Sequence, residues 1–243
     1  MKTQKVTHFI LFIISAFSAH IYQAQKISKG YSQVKEYGIK GSPKKAEVYI
    51  VDIDNSKIPT DTLGYSRKTT TTFSRSGNIE KYLRFFKPNP TTTVTKDEIV
   101  YTIDGKDFSY TENTNFSDRK EMLSEKFKYI WKDDYHYDII NIGNNTHTTE
   151  ISLDENFLLK NSKLKAGGKV LYDSDYTDIL KNNIITKRLT KTIEYIGEKP
   201  NESYQIEVIK KQDKFGNPSL IYIYDDKAET NLVAVAFRYY EYY

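Results

Sequence analysis

The sequence predicts an all-β protein: an extended antiparallel β-meander of repeated hairpins, with room for one short helix. Three observations support this. Apolar and polar residues alternate along many short segments, which is typical of half-buried strands. Turn sequences with Gly or Asp separate these segments. Tyr and Phe, which favour strands, are abundant, with 21 Tyr and 12 Phe in 243 residues.

The clearest alternation is an aromatic hairpin over residues 127–139. Phe127, Tyr129 and Trp131 share one face of a strand, and Asp133-Asp134 predicts a tight turn before the return strand. Similar alternation occurs at 99–103, 204–208, 220–224 and 233–239. Because side chains in a strand alternate between its two faces, each segment predicts a strand with one apolar face.

Two turn sequences place an acceptor side chain three residues before a glycine. Ser74 precedes Gly77, and Asp213 precedes Gly216. The acceptor caps the following amides, and the glycine supplies the positive φ of a type I turn with a bulge. Asp104-Gly105 predicts a further hairpin.

Residues 154–157 and 173–176 look like degenerate copies of this turn without the glycine. In them we expect Asn156 or Asp175 to adopt the left-handed conformation instead. The four turns then fall at 77, 157, 176 and 216, with spacings of 80, 19 and 40 residues. These spacings suggest a repeat of about twenty residues, the length of one hairpin.

The Tyr172-Asp173-Ser174-Asp175 stretch and residues 211–217 resemble the YD-repeat (RHS-like) proteins and the small secreted bacterial proteins built from the same hairpin. The resemblance covers about residues 69–224 and implies a β-meander. It implies no activity, because these repeats share no catalytic residue. The chain is too short for the closed shell or the toxin domain of the large members.

Residues 1–24 have the pattern of a secretory signal peptide: Lys2 and Lys5, an apolar stretch, then small residues. Cleavage after Ala24 is preferred, and cleavage after Ser18 is the alternative. The apolar stretch is shorter than the ~20 residues of a membrane-spanning helix. We therefore predict an exported protein, located in the periplasm, at the cell surface or outside the cell.

Three regions follow: a signal peptide at 1–24, a flexible polar segment at 25–45, and a β-hairpin repeat domain at 46–243. Residues 117–126 could form the short helix, capped by Ser117.

Without Lys2 and Lys5 the chain has 34 basic and 32 acidic residues. Since basic and acidic residues are also interleaved, we expect no nucleic-acid partner. We expect no membrane-spanning segment in the mature chain, and a protein or carbohydrate partner of unknown identity.

Candidate catalytic and metal-binding residues are few. The chain has no Cys, and His136 and His147 are the histidines outside the signal segment. The Asp173, Asp175 and Asp178 pattern could supply oxygen ligands to Ca²⁺, but a capped turn explains it better. Motifs for a serine nucleophile or for phosphate binding are absent. We expect neither a metal nor a cofactor, and we favour a non-catalytic role.

The remaining candidate is a ligand-binding surface of Tyr129, Trp131, Tyr135 and Tyr137. Such rings stack on sugars or peptides, although packing across strands within the core explains them better. The sequence thus favours an exported, non-catalytic β-repeat protein that binds or scaffolds a partner. The alternatives are a polysaccharide hydrolase with paired carboxylates and an outer-membrane β-barrel, which the aromatic C-terminus would suit.

Overall fold

The chain folds into a closed antiparallel β-barrel. The computed structural model describes residues 30–54, 57–87, 93–104, 107–143, 146–181 and 184–243, so the predicted signal peptide lies outside the described residues. Within these ranges there are one helix and fourteen strands. They are α1 Gln33–Glu36, β1 Pro43–Asp52, β2 Arg67–Phe73, β3 Ile79–Phe86, β4 Val94–Asp104, β5 Asp107–Phe116, β6 Leu123–Trp131, β7 His136–Asn141, β8 His147–Leu153, β9 Leu159–Ala166, β10 Lys169–Lys181, β11 Ile184–Glu194, β12 Asn201–Gln212, β13 Pro218–Tyr224 and β14 Leu232–Tyr242.

Each strand pairs antiparallel with the next one along the chain, which confirms the predicted all-β meander of hairpins. The meander is also closed, because β1 pairs with β14 from Pro43↔Tyr242 to Asp52↔Ala234. Closure leaves none of the fourteen described strands as a free sheet edge. No helix in the described ranges is long and apolar enough to cross a membrane.

The two glycine turns have the predicted geometry. Gly77 and Gly216 have φ values of 82° and 83°, which a residue with a Cβ rarely adopts. The Ser74 hydroxyl accepts a hydrogen bond from the Asn78 amide at 3.2 Å. The carboxylate of Asp213 likewise accepts from the amides of residues 215 and 217. Capping by the first residue of each turn is therefore confirmed.

The third turn has the same hydrogen bonds but a different left-handed residue. Asp154 Oδ1 accepts from the amides of Asn156 and Leu158, while Phe157 has φ 66°. The prediction for Asn156 was wrong, because Phe157 occupies the position that glycine holds in the other two turns. The phenyl ring is retained there by contacts with neighbouring aromatic rings, such as Tyr31 at 6.2 Å.

Two further sequence predictions were wrong. Residues 173–176 form no turn, because Asp173 and Asp175 lie within β10 and pair with β9 and β11. Their carboxylates accept hydrogen bonds from Asn161 on β9 instead. Residues 117–126 form no helix: bends lead into β6, which begins at Leu123.

The helix lies instead at residues 33–36, within the predicted N-terminal segment 25–45. Ser32 is its N-cap and accepts a hydrogen bond from the Lys35 amide. At its C-terminal end Gly38 has φ 65°, and the amides of Gly38 and Ile39 bond the carbonyls of Lys35 and Val34. This paired pattern is a Schellman motif, which stops a helix after one turn.

Residues 30–42, which we call the plug, cross one end of the barrel. The Val34 amide bonds the Gly77 carbonyl at 2.9 Å, and the Lys40 amide bonds Asn217 Oδ1 at 2.7 Å. Tyr31 packs edge-on against Trp131, with ring centroids 4.8 Å apart. Because these contacts come from turns and strand ends around the rim, the plug closes this end.

The barrel wall has different inner and outer faces. Phe108, Tyr129, Trp131, Tyr137, Ile151 and Leu153 point inward from β5–β8 and form a buried cluster. The outer face carries ion pairs between neighbouring strands: Lys81–Glu98, Lys132–Asp138, Lys163–Asp173, Lys165–Glu150 and Lys191–Glu202. A smaller apolar cluster around Val235 covers the outside of β1, β13 and β14.

Candidate functional site

The aromatic cluster fills the half of the barrel formed by β5–β8, and the other half encloses a cavity. Its volume is about 540 Å³. Inward-facing residues of β1, β2, β3, β4 and β11–β14 line it, and Tyr37 and Ile39 of the plug form its floor. A cavity of this size lies within the range of small-molecule sites. We call it the lumen cavity.

The lumen cavity has an apolar wall. Strand alternation brings every second residue of β1 to the inside, so Ala46, Val48 and Ile50 line the cavity together. Ile99 and Ile223 extend this surface from β4 and β13. An organic ligand could therefore bury apolar groups here, a transfer that contributes about 25 cal/mol per Å².

Four guanidinium groups line the same cavity: Arg67, Arg84, Arg188 and Arg238. Two of them are closely paired with acids. Arg84 donates from Nε and Nη2 to Asp97 Oδ2, at 3.0 and 2.5 Å. Arg188 donates to both oxygens of Asp178, at 2.7 and 3.0 Å. Asp178, proposed from sequence as a turn residue, thus serves to hold a lumen arginine.

The other two arginines have fewer partners. Arg238 Nη2 lies 3.4 Å from Glu207 Oε2, and its buried Nε has no hydrogen-bond partner among the described residues. Arg67 is exposed to solvent at the end of the barrel opposite the plug, and within the described ranges its guanidinium group has no ion pair or hydrogen bond. The lumen therefore holds donors that protein acceptors do not use.

Tyrosine hydroxyls complete the polar lining. Burial raises the pKa of Tyr101 and also that of Tyr240, although the neighbouring Arg238 opposes the shift at Tyr240. Both phenols consequently stay protonated across the physiological range, and a protonated phenol can donate a hydrogen bond. Tyr37 and Tyr82 line the cavity as well.

Glu36 anchors the plug beneath this cavity. Its carboxylate accepts hydrogen bonds from the hydroxyls of Tyr31 and Tyr137, the latter at 2.9 Å. Burial raises the pKa of Glu36, and the two hydroxyl donors partly offset that rise. Gln33 is also buried, and its Oε1 accepts from the Ile79 amide at 2.7 Å. These polar contacts fix the floor of the lumen.

The aromatic residues singled out from sequence lie outside the lumen cavity. Tyr129, Trp131 and Tyr137 belong to the buried cluster, with exposed fractions of 4%, 9% and 1%. Trp131 pairs with Tyr137 in register. Tyr135 lies in the turn, is 37% exposed, and packs its ring on Phe157 at 5.5 Å. The structure therefore does not bring these four rings together on one accessible surface.

The polar candidates from sequence are likewise separate from the cavity. His136 Nδ1 contacts Asp133 in the exposed turn between β6 and β7, and His147 contacts Thr146. In the described part of the chain, no group of three or more His, Asp or Glu residues is arranged to hold a metal ion. Glu112 and Glu125, which lie in the barrel interior but outside this cavity, are register partners on β5 and β6, and burial raises the pKa of Glu112.

Sequence analysis did not identify the lumen arginines. Arg67, Arg84, Arg188 and Arg238 are scattered along 172 residues of sequence, and each stands in a strand whose outward face is also charged. The available signal was that Arg84 and Arg238 share their strand parity with apolar or aromatic residues, as Arg238 does with Tyr240 and Ala236, whereas Arg188 shares its parity mainly with threonines. That parity assigns Arg238 to the inner face once the direction of the strand is known.

In comparisons with protein-family models, curated proteins and solved structures, nothing matches this chain, so the YD-repeat resemblance stays a prediction.

Proposed function

We propose that this chain is an exported binding protein that holds a small molecule in the lumen of its barrel, in the periplasm or at the cell surface. The observation that carries the proposal is the 540 Å³ lumen cavity, which is closed below by the plug and lined by apolar residues and by Arg238, whose buried Nε has no hydrogen-bond partner among the described residues. Ligand sites typically combine an apolar wall with a few convergent polar groups. The predicted signal peptide supports the export part of the proposal.

Native mass spectrometry tests the proposal directly. Protein purified from its native envelope should carry a bound small molecule, seen as added mass that disappears on denaturation. Val48→Trp should abolish this mass by filling the lumen. Thr70→Trp is the matched control, because Thr70 lies on the outer face of β2, the strand next to β1. The proposal would be contradicted if the wild type carried no added mass, or if both variants lost it.

The outer-membrane alternative shares the closed-barrel architecture, but the outer face favours our proposal. Lipid-facing strands present an apolar band about 25 Å tall. Here the outward positions of β9–β12 carry ion pairs such as Lys163–Asp173 and Lys191–Glu202, and charges at mid-bilayer cost about 2–4 kcal/mol for Lys or Arg. Osmotic shock should release the protein, whereas retention in carbonate-washed outer membranes would support the alternative.

The hydrolase alternative needs two carboxylates facing one ligand. Among the described residues that line the lumen cavity, Glu207 is the carboxylate, and it lies against Arg238. Glu112 and Glu125 face each other but belong to a different part of the barrel interior. We therefore place binding ahead of hydrolysis. Release of reducing sugar from envelope polysaccharide, lost in Glu112→Gln, would reverse this order.

A further inference from the structure

We infer that the ligand of the lumen cavity is an amphipathic anion: an apolar chain that carries one carboxylate, held at Arg238. This inference rests on the proposed function and adds the chemical class of the ligand. The first observation is the excess of positive charge in the cavity lining. The described residues that line the cavity include four arginines and one carboxylate, Glu207.

The arginines differ in how much of their hydrogen-bonding capacity is used. Arg84 and Arg188 each make two bonds to one aspartate. Arg238 makes one long ion pair of 3.4 Å with Glu207 and lies beside the Tyr240 hydroxyl, and its buried Nε has no partner among the described residues. An unsatisfied buried donor is costly. A ligand carboxylate would satisfy it, since a guanidinium binds carboxylates through paired N–H donors.

The apolar wall lies directly beside this anchor. Val48 is the register partner of Arg238, and Ile50 is the register partner of Arg67. A chain whose carboxylate meets Arg238 thus finds Val48 and Ile50 along its path toward the end of the barrel opposite the plug. Arg67, exposed at that end, would attract the anion as it enters. Tyr240, whose phenol stays protonated, can donate to the same carboxylate.

Glu207 opposes such a ligand, because it places a like charge next to Arg238. This opposition gives the inference a distinctive signature. Removing Arg238 should weaken anion binding, whereas removing Glu207 should strengthen it. A purely apolar site would respond to neither change.

The experiment is calorimetric titration with three probes of equal chain length: decanoate, 1-decanol and decylamine. The wild type should bind decanoate at least about tenfold more tightly than either of the other two. Arg238→Gln should lose that preference, and Glu207→Gln should increase it. Glu202→Gln is the matched control, because Glu202 lies on the same strand but pairs with Lys191 on the outer face.

Should Arg238→Gln fail to fold, Arg67→Gln tests the second cation at an exposed position, with outward-facing Lys68→Gln as its control. Equal binding of the three probes, or a preference for decylamine, overturns the anion inference while the proposed lumen function stands. Absence of binding by all three overturns the inference, and the native mass measurement then decides separately whether the lumen holds any ligand.

Discussion

The Tyr137 hydroxyl donates to both carboxylate oxygens of Glu36, at 2.9 and 3.0 Å, across 101 residues of sequence. The contact joins the plug to β7 near the rim of the barrel, and both residues are buried. A carboxylate in such a place must be fully hydrogen-bonded or protonated to be tolerated. The hydroxyl of Tyr31 supplies a further donor, so one of the donors to Glu36 belongs to the plug itself.

The buried Glu36 makes stability depend on pH. Burial raises its folded-state pKa above the ordinary value of 4.5. The folded protein therefore holds the proton more tightly than the unfolded chain does. The stability that this group contributes is fully present below the unfolded pKa and is lost as pH rises through the folded pKa. We expect Glu36→Gln to reduce this slope, measured as urea midpoints across the pH range. Glu80→Gln, at an exposed position on β3, is the control, and an unchanged slope in Glu36→Gln would contradict the assignment.

Truncation at the same position should be more damaging. Glu36→Ala leaves the Tyr137 hydroxyl buried without its acceptor, which costs about 1–3 kcal/mol. Glu36→Gln keeps an acceptor and should cost less at neutral pH. Chemical denaturation of the two variants measures this difference, and equal losses would show that the hydroxyl contacts contribute little.

Asn217 should hold the other end of the plug. It is fully buried, its Oδ1 accepts from the Lys40 amide at 2.7 Å, and its Nδ2 donates to the Lys40 carbonyl at 2.9 Å. Asn217→Ala should therefore speed hydrogen exchange at the Lys40 amide. Asn78 follows the glycine in the equivalent turn but contacts Gln33 only at 3.4 Å, so Asn78→Ala is the matched control. Faster exchange of the Lys40 amide in the control than in Asn217→Ala would contradict the role assigned to Asn217.

The glycine turns give a prediction about backbone conformation. Gly77→Val and Gly216→Val should each lose about 1–2 kcal/mol, because a β-branched residue is strained at positive φ. Gly77→Val should lose more, since a Cβ there would meet Ser32 of the plug at 3.2 Å, while one at Gly216 has space. Gly197→Val is the control at a position without positive φ. Urea midpoints check the order, and no loss in either turn variant would reject the shared turn.

The aromatic cluster gives a prediction about packing. Trp131 is 9% exposed and lies against Tyr31 and Tyr137. Trp131→Ala should cost about 3–5 kcal/mol, the usual range for a large buried aromatic. Tyr135→Ala, at the exposed turn of the same hairpin, should stay within about 0.5 kcal/mol. Thermal melts followed by circular dichroism compare the two. A small loss of stability in Trp131→Ala would indicate that this cluster is a binding surface and not part of the core.

The local hairpins could be predicted from sequence because their determinants are local. Ser74, Asp213 and the two glycines fix turns through their own side chains and φ values, whatever the rest of the chain does. Residue Asp173 shows the limit of such reasoning. Its Asp-x-Asp pattern is typical of turns, yet in β10 the two carboxylates accept from Asn161 on the neighbouring strand. That partner is set by pairing between strands, which the pattern does not contain.

The lumen and the plug could not be predicted because they depend on distant pairings. Arg84 becomes a lumen residue only once β1 meets β14 and gives the sheet an inside. Gln33 and Glu36 are polar, and they are tolerated in the interior because the Ile79 amide and the Tyr137 hydroxyl, far along the chain, donate hydrogen bonds to them. Polar residues in a short segment with several glycines are typical of a flexible segment. No periodicity distinguishes a polar plug from such a segment.

The seam between β1 and β14 has a consequence for how the chain matures. Pro43 of β1 pairs with Tyr242 of β14, so β1 has no partner on that side until β14 has been synthesised. Until then β1 presents an unpaired edge on one side, a template for pairing with other chains. Contacts this distant in sequence form slowly. During biogenesis the nascent sheet must therefore be shielded from neighbouring copies, and truncation of only the final strand should yield aggregates rather than a shorter barrel.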